Sequence, residues 1–267
     1  MNDVSGTCVG KVYLVGAGPG DPGLITVRGA ECLSQADLVL RDYLVNPLLL
    51  RHVSPTAEHV CLGHPHFGRE IAQDEVNRRM IAAARQGKTV VRLKSGDPNL
   101  FGRGAEEVEI LRAAGIPCEV VPGVTAAFAA ASHAGVPLTH RNLASAVALI
   151  TGHRRGDGLG PDLDYHSLAC FPGTLVFYMG MTTSRDWSEA LLEGGRSPST
   201  PVAIVRRASW PDQETVFCTL GTVADVIDER GIRPPAVIVV GEVAGIRQAI
   251  PSLTSLAARA IPEPVAG

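Results

Sequence analysis

A glycine-rich segment, VGAGPGDPG at residues 15–23, is the first place where a small ligand could approach the backbone closely. Its spacing suggests the dinucleotide fingerprint G-x-G-x-x-G, but the third glycine of that pattern falls on Asp21. A carboxylate at the start of the following helix disfavours a pyrophosphate there. A cofactor with a positive sulfonium and no phosphate fits better, and a plain tight turn is the alternative interpretation.

Two further turns have a similar character. The segment RLKSGDPNLFGRGAEE at 92–107 follows the fourth predicted strand, and PGVTAA at 122–127 follows the fifth. Each alone is ordinary turn and helix-cap chemistry. Open α/β sheets bind ligands at the carboxyl ends of their parallel strands. Three such turns in one domain therefore predict a common binding site.

The elements that position these turns alternate between short apolar runs and helical patterns. Strands are predicted at 11–15, 37–40, 58–62, 89–93 and 118–121, and helices at 23–35, 69–86, 104–114 and 125–134. Strands of nearly continuous apolar character between helices predict a five-stranded parallel sheet covered on both faces.

The segment GVPLTHRNLAS at 135–145 interrupts this rhythm with Pro137 and a polar stretch. It predicts an N-terminal α/β domain at 1–136 and a C-terminal mixed α/β domain at 137–267. Within the second domain, strands are predicted at 147–150, 174–178, 202–205, 215–219 and 236–240, and helices at 184–193 and 222–230. An adjacent pair around 210–214 predicts antiparallel pairing.

Composition excludes several classes of protein. The 267 residues carry a net charge of −3, which gives no overall field for nucleic acid. Six cysteines are scattered without a CxxC pair, which argues against a zinc ribbon or a redox motif. No signal-peptide pattern opens the chain and no apolar window spans a membrane. These features predict a cytoplasmic enzyme that binds neither nucleic acid nor membrane.

Several further motifs continue in collinear order: GVPLTHR at 135–141, LITGH at 149–153, VFYMGM at 176–181, GGRSPSTPVAIV at 194–205 and PPAVIVVGEV at 234–243. Together with the three turns, they make the chain resemble the tetrapyrrole methylases, specifically the uroporphyrinogen-III C-methyltransferases. The block RLK-x-GDP-x-x-FGRG is far more restrictive than a glycine pattern.

The resemblance implies two α/β domains, with S-adenosylmethionine in the cleft between them, and a homodimer. It implies methyl transfer to carbons 2 and 7 of uroporphyrinogen III, giving precorrin-2, which leads to sirohaem and cobalamin, with S-adenosylhomocysteine as by-product. Some relatives carry an added oxidase/chelatase module at the N-terminus, and this chain is expected to be the methyltransferase alone. The implied cofactor contacts are Pro19, Ser95, Gly96, Asp97, Leu100, Thr125, Ala126, Met179, Ala208 and Ala236.

Methyl transfer to a pyrrole carbon requires a proton acceptor. Methylation of an electron-rich pyrrole carbon leaves a charged ring that must lose a proton, and a carboxylate can take it. The resemblance places this base at Asp42; a helix cap or turn carboxylate before Asn46 and Pro47 is the alternative. His64 stands where the family carries a proton-donating lysine, and histidine can exchange protons near neutral pH. A metal site at His64 and His66 is not expected, because no third ligand is evident nearby.

A substrate rich in carboxylates should be bound by cationic side chains. The residues predicted to bind these carboxylates are Lys94, Arg103, His140 and Arg141. Three rival functions stay open: a methylase of the same fold acting on another precorrin or electron-rich ring, an NAD(P)-dependent dehydrogenase, and a non-catalytic binding protein that keeps the cleft.

Overall fold

The first half of the chain folds around a parallel sheet, as its apolar runs predict. In the computed structural model, which describes residues 9–63, 71–153 and 163–246, this sheet has the order β3-β2-β4-β1-β5. Its strands are β1 (Val12–Gly16), β2 (Leu38–Arg41), β3 (Glu58–Cys61), β4 (Val90–Lys94) and β5 (Cys118–Val121). All four strand pairs are parallel, so every strand ends at the same edge.

The connecting helices are α1 (Val27–Ser34), α2 (Gln73–Arg85), α3 (Gly104–Ala113) and α4 (Ala126–Ala134). Helix α1 begins later than predicted, because Pro22–Leu24 forms a separate 3-10 helix capped by Asp21. The side chain of Thr26 then caps α1 by accepting from the Gly29 amide. A second 3-10 helix, Pro47–His52, follows β2.

Alternate residues of each strand supply the two layers of the core. One face packs Leu14, Leu40 and Val90 against Met80 of α2 and Leu111 of α3. The other face packs the intervening residues, among them Val15, Val39, Val91 and Leu93, against Cys32 and Leu33 of α1. Arg92 and Lys94 are two and four residues after Val90 in β4, so their side chains lie on the same face of the sheet as Val90, toward α2 and α3.

The second half folds around a mixed sheet of order β6-β7-β10-β8-β9. Its strands are β6 (Val147–Thr151), β7 (Thr174–Tyr178), β8 (Pro201–Arg206), β9 (Glu214–Thr219) and β10 (Ala236–Val240). Only β6 and β7 pair in parallel, and the predicted antiparallel pair is confirmed as β8 and β9. The helices are α5 (Tyr165–Ala169), α6 (Ser184–Glu193) and α7 (Val223–Arg230), of which only the single-turn α5 was not predicted. The predicted fold class, a parallel sheet followed by a mixed sheet, is confirmed.

The chain divides into two units at 1–126 and 127–267, so the predicted junction at 136/137 lies inside the second unit. The polar segment that suggested the junction is bonded to the second sheet, because the Thr174 hydroxyl donates to the Leu138 carbonyl at 2.8 Å. The start of α4 is tied to the same sheet, since the Ala127 amide donates to the Tyr178 hydroxyl. Among the described residues, no helix has the length and apolar character to cross a membrane.

Candidate functional site

Three loops are joined at the carboxyl edge of the first sheet. Gly18 and Gly96 exchange two backbone hydrogen bonds, of 3.3 and 2.9 Å, which link the turn after β1 to the turn after β4. The Gly123 amide donates to Oδ2 of Asp97 at 3.0 Å, which links the turn after β5. The three glycine-containing turns predicted to form one site are therefore brought together, and they carry Pro19, Ser95, Leu100, Thr125 and Ala126.

Close backbone packing explains the glycines at this junction. A Cβ on Gly16 would lie 2.5 Å from the Gly123 Cα, and a Cβ on Gly123 would lie 2.2 Å from the Gly96 carbonyl oxygen. Side chains at these positions would push the turns apart. At Gly96 itself, with φ +67°, a Cβ would meet nothing within 4 Å. Although Gly96 is buried, no protein atom fills the space beside its Cα, so a small ligand could approach the backbone closely there.

Asp97 holds the turns together. Its Oδ1 accepts from the Asn99 amide at 2.8 Å, while Oδ2 accepts from Gly123. One carboxylate therefore closes its own turn and binds the next one. Sequence reasoning placed Asp97 against the cofactor; the structure adds that its oxygens already fix the loops that would form that site.

The first turn is poorly suited to phosphate. Oδ1 of Asp21 accepts from the Gly23 amide at 2.7 Å, at the start of the 3-10 helix. A carboxylate therefore occupies the position that an anion would need at the helix N-terminus. These turns fit a ligand without phosphate, such as S-adenosylmethionine, better than a dinucleotide.

In the second unit, the three predicted cofactor residues lie at one edge of the mixed sheet. Met179 follows the end of β7, Ala208 follows β8, and Ala236 begins β10, which pairs with both strands. Met179, half-exposed, has a left-handed φ of 53°, and the two neighbours of Ala208, Arg207 and Ser209, are left-handed as well. Non-glycine residues held in this conformation are uncommon and concentrate at functional sites.

Asp42 follows β2 at the same edge as the three turns. Its amide donates to the Leu93 carbonyl at 3.0 Å, and its Oδ1 lies 2.5 Å from Nη2 of Arg92. The alternative role as a helix cap belongs instead to Asn46, whose side chain accepts from the Leu48 amide. The Asp42 side chain is 28% exposed, so one part of the carboxylate pairs with arginine while another part can meet a ligand.

Arg92 and Glu107 are the site residues that sequence reasoning missed. The Arg92 guanidinium bridges two carboxylates, with Nε 3.1 Å from Oε1 of Glu107 and Nη2 against Asp42. Both Arg92 and Glu107 are buried. The available signal was an arginine inside the apolar strand VVRLK, because such a residue needs a buried partner.

Lys94 requires a correction. It was expected to meet substrate carboxylates, but its side chain is buried and its Nζ lies 3.0 Å from Oε2 of Glu107. Burial lowers the pKa of Lys94, helped by the nearby Arg92 charge, while Glu107 and Asp42 act in the opposite direction. An internal ion pair, rather than the substrate, is its partner.

The other proposed cations lie on the surface of the two units. Arg103, which has a left-handed φ of 58°, pairs with Glu106 just before α3. His140 and Arg141 are exposed in a tight hairpin that is closed by reciprocal backbone bonds between His140 and Ala144. All three are accessible to an anionic ligand.

His64 and His66 lie outside the described residues. The described chain before them ends at Leu62 and Gly63, and the Leu62 amide donates to the Arg41 carbonyl, next to Asp42. Among the described residues, no cluster of three or more His, Cys, Asp or Glu side chains could hold a metal ion.

Comparison with known proteins gives relatives over most of the chain. It is 47% identical over 238 residues to the siroheme synthase of Zymomonas mobilis, and 45% identical over 241 residues to siroheme synthase 1 of Yersinia enterocolitica. These alignments cover 89% and 90% of this chain but 50% of each relative. The chain therefore spans about half the length of the curated relatives it matches.

Solved structures of methyltransferases also match most of this chain. The uroporphyrin-III C-methyl transferase from Thermus thermophilus, complexed with S-adenyl homocysteine, is 42% identical with a TM-score of 0.76, covering 89% of this chain and all of that one. A cobalt precorrin-4 methyltransferase of cobalamin biosynthesis is 34% identical with a TM-score of 0.79, covering 88% and 95%. The family model described as tetrapyrrole (corrin/porphyrin) methylases matches residues 11–224. The resemblance inferred from the motifs is thereby confirmed, and the chain belongs to the tetrapyrrole (corrin/porphyrin) methylases.

Proposed function

We propose that this chain transfers methyl groups from S-adenosylmethionine to carbons 2 and 7 of uroporphyrinogen III, giving precorrin-2. The observation that carries the proposal is the partly exposed carboxylate of Asp42, fixed by Arg92 at the sheet edge where the three glycine-containing turns are joined. The similarity to a uroporphyrin-III C-methyl transferase along that protein's whole length supports the choice of substrate.

Different residues of this chain would bind the cofactor and accept the proton. The turns carrying Pro19, Ser95–Asp97 and Thr125 would hold the cofactor by backbone contact, and the family resemblance implies further cofactor contacts at Met179, Ala208 and Ala236. When bound, S-adenosylmethionine supplies an electrophilic methyl group. The chain's main task is then to orient the acceptor carbon, because holding donor and acceptor in line can supply about 7–11 kcal/mol of the barrier to such a displacement. Asp42 takes the proton that the methylated ring must lose.

The remaining roles in the proposal rest on sequence. Exposed Arg103, His140 and Arg141 would bind substrate carboxylates by charge-assisted hydrogen bonds. His64 would exchange a proton in place of the family lysine. A homodimer, a cytosolic location and a shared cofactor site stay predictions.

The direct test is incubation of the protein with uroporphyrinogen III and isotopically labelled S-adenosylmethionine, followed by mass analysis. We expect a product that has gained two labelled methyl groups, at carbons 2 and 7. Labelled product from another tetrapyrrole, with none from uroporphyrinogen III, would refute the assigned substrate.

A second function has specific support. The cobalt precorrin-4 methyltransferase has a TM-score of 0.79, slightly above that of the uroporphyrin-III enzyme, although its identity is lower at 34%. A methylase acting on a later, already methylated ring is therefore the second function. Parallel assays with uroporphyrinogen III and with methylated precorrins distinguish the two.

Cofactor selectivity follows from the carboxylate in the first turn. We expect isothermal calorimetry to detect S-adenosylhomocysteine binding, and to detect no binding of NAD or NADP, because Asp21 occupies the anion position at the 3-10 helix. Micromolar binding of a nicotinamide cofactor without binding of S-adenosylhomocysteine would contradict both the site and the function.

A further inference from the structure

Four charged residues form a continuous cluster in the first unit. Arg92 and Lys94 extend from β4, Glu107 comes from α3, and Asp42 follows β2. The side chains of Arg92, Lys94 and Glu107 are each at most 4% exposed, whereas that of Asp42 is 28% exposed. Removing ions from water is expensive, and apolar residues of similar volume often give equal or better stability. Stability alone therefore does not explain three buried ions.

Glu107 lies at the centre of this cluster. Its Oε1 accepts from Nε of Arg92 at 3.1 Å and from Nε2 of Gln73 at 2.8 Å. Its Oε2 lies 3.0 Å from Nζ of Lys94, close enough for an ion pair but without hydrogen-bond alignment. One buried carboxylate therefore contacts both cations, and Gln73 of α2 fixes its orientation.

Arg92 transmits this arrangement to Asp42. The guanidinium is a rigid planar fork, so the bond at Nε limits the directions that Nη2 can take. Nη1 lies 3.4 Å from the carbonyl oxygens of Leu40 and Leu93, which are weak contacts. The bond to Glu107 is thus the main restraint that turns Nη2 toward Asp42.

Charge balance gives Glu107 a second effect. Lys94 already interacts electrostatically with Asp42 as well as with Glu107. Without Glu107, two buried cations would face a single carboxylate, and the flexible ammonium of Lys94 would compete with Arg92 for Asp42. Pairing with Glu107 keeps Lys94 away from it.

We propose that Glu107 is a positioning residue for the proton transfer: it orients Arg92 toward Asp42 and keeps Lys94 in an ion pair away from Asp42. This inference rests on the proposed function in one respect only, the role of Asp42 as the proton acceptor. The orientation itself is a property of the protein without substrate.

The test is the isosteric variant Glu107→Gln, with Glu109→Gln as the matched control on the exposed side of the same helix. We expect kcat to fall about tenfold or more, because the neutral amide weakens the charge-assisted bond to Arg92 and no longer forms an ion pair with Lys94. The KM for S-adenosylmethionine and the affinity for S-adenosylhomocysteine should stay within about twofold, since the turns that would hold the cofactor are not altered. Glu109→Gln should behave as the unmodified protein.

The double variant Glu107→Gln/Lys94→Met separates positioning from general damage, and it keeps the test possible if the single variant does not fold. Removing the unpaired cation together with its partner restores charge balance, so kcat should recover partly and unfolding should occur at a higher temperature than in the single variant. Equal losses of kcat and cofactor affinity, full activity of Glu107→Gln, or no recovery in the double variant would each overturn the proposal.

A crystal structure of the Glu107→Gln protein decides the orientation without any substrate. We expect the Arg92 guanidinium to leave Asp42, with Nη2 beyond 4 Å from its carboxylate, against 2.5 Å in the unmodified chain. An unchanged contact would overturn the inference. If the unmodified chain does not methylate uroporphyrinogen III, the proposed function fails, while the positioning role is still decided by this structure.

Discussion

Replacing Asp42 by Asn is expected to reduce kcat by roughly 10²–10⁴-fold, the usual contribution of a general base. The amide has almost the same shape as the carboxylate, and its oxygen can still accept from Nη2 of Arg92, which lies 2.5 Å from Oδ1 in the unmodified chain. Asparagine cannot take a proton from the methylated ring. Position is therefore kept and basicity is lost, which isolates the chemical role from the structural one.

Two measurements complete this test. S-adenosylhomocysteine affinity of Asp42→Asn should be unchanged by calorimetry, because no turn of the proposed cofactor site is altered. The matched control is Asp37→Asn at the opposite end of β2, where the exposed carboxylate accepts from the Thr89 amide at 2.8 Å. Asp37→Asn should turn over normally. Full turnover by Asp42→Asn would show that the proton leaves by another route, and Asp42 would then be a structural partner of Arg92 only.

The sequence predicts the strands well because their signal is local. All ten predicted strands occur, with boundaries that differ by at most one residue. The run 236–240 is apolar throughout, and 89–93 is apolar except for Thr89 and Arg92; burial on both faces of a sheet favours such composition. Helix starts are less predictable: the proline-containing residues 22–24 form a 3-10 helix, so α1 begins at Val27 rather than at Gly23.

The site is predicted less completely because partner choice is not local. Lys94 and Arg92 are alternate residues of one strand, and nothing in the strand itself says that Glu107, on the following helix, pairs with both. The sequence therefore suggests that Lys94 is a surface cation, whereas in the structure it forms a buried ion pair with Glu107. The grouping of the three turns was predictable from sheet topology, whereas the contact distances between Gly16, Gly96 and Gly123 were not.

The short backbone distances at Gly123 predict a large loss of cofactor affinity in the variant Gly123→Ala. The new Cβ would lie 2.2 Å from the Gly96 carbonyl oxygen and 2.7 Å from the Gly16 Cα, both backbone atoms that cannot rotate away. Forcing a methyl group into such packing costs about 1–3 kcal/mol. The turns after β1 and β4 must separate from the turn after β5 to relieve it. Since 1.4 kcal/mol is tenfold in an equilibrium constant, we expect S-adenosylhomocysteine affinity to fall about ten- to hundredfold.

Gly10→Ala is the control that separates the site from general destabilisation. Its Cβ would lie 2.0 Å from the Lys88 carbonyl oxygen, an equally severe backbone clash, but just before β1 and β4 begin rather than where they end. Both variants should therefore unfold at lower temperature, while only Gly123→Ala should lose cofactor affinity in calorimetry at a temperature where both are folded. Gly96→Ala adds a third comparison: its Cβ would meet no neighbouring atom, although the φ of +67° strains any L residue by about 1–2 kcal/mol, so we expect cofactor affinity to fall together with some stability. Equal S-adenosylhomocysteine affinities in Gly123→Ala and Gly10→Ala would mean that the three joined turns do not form the cofactor site.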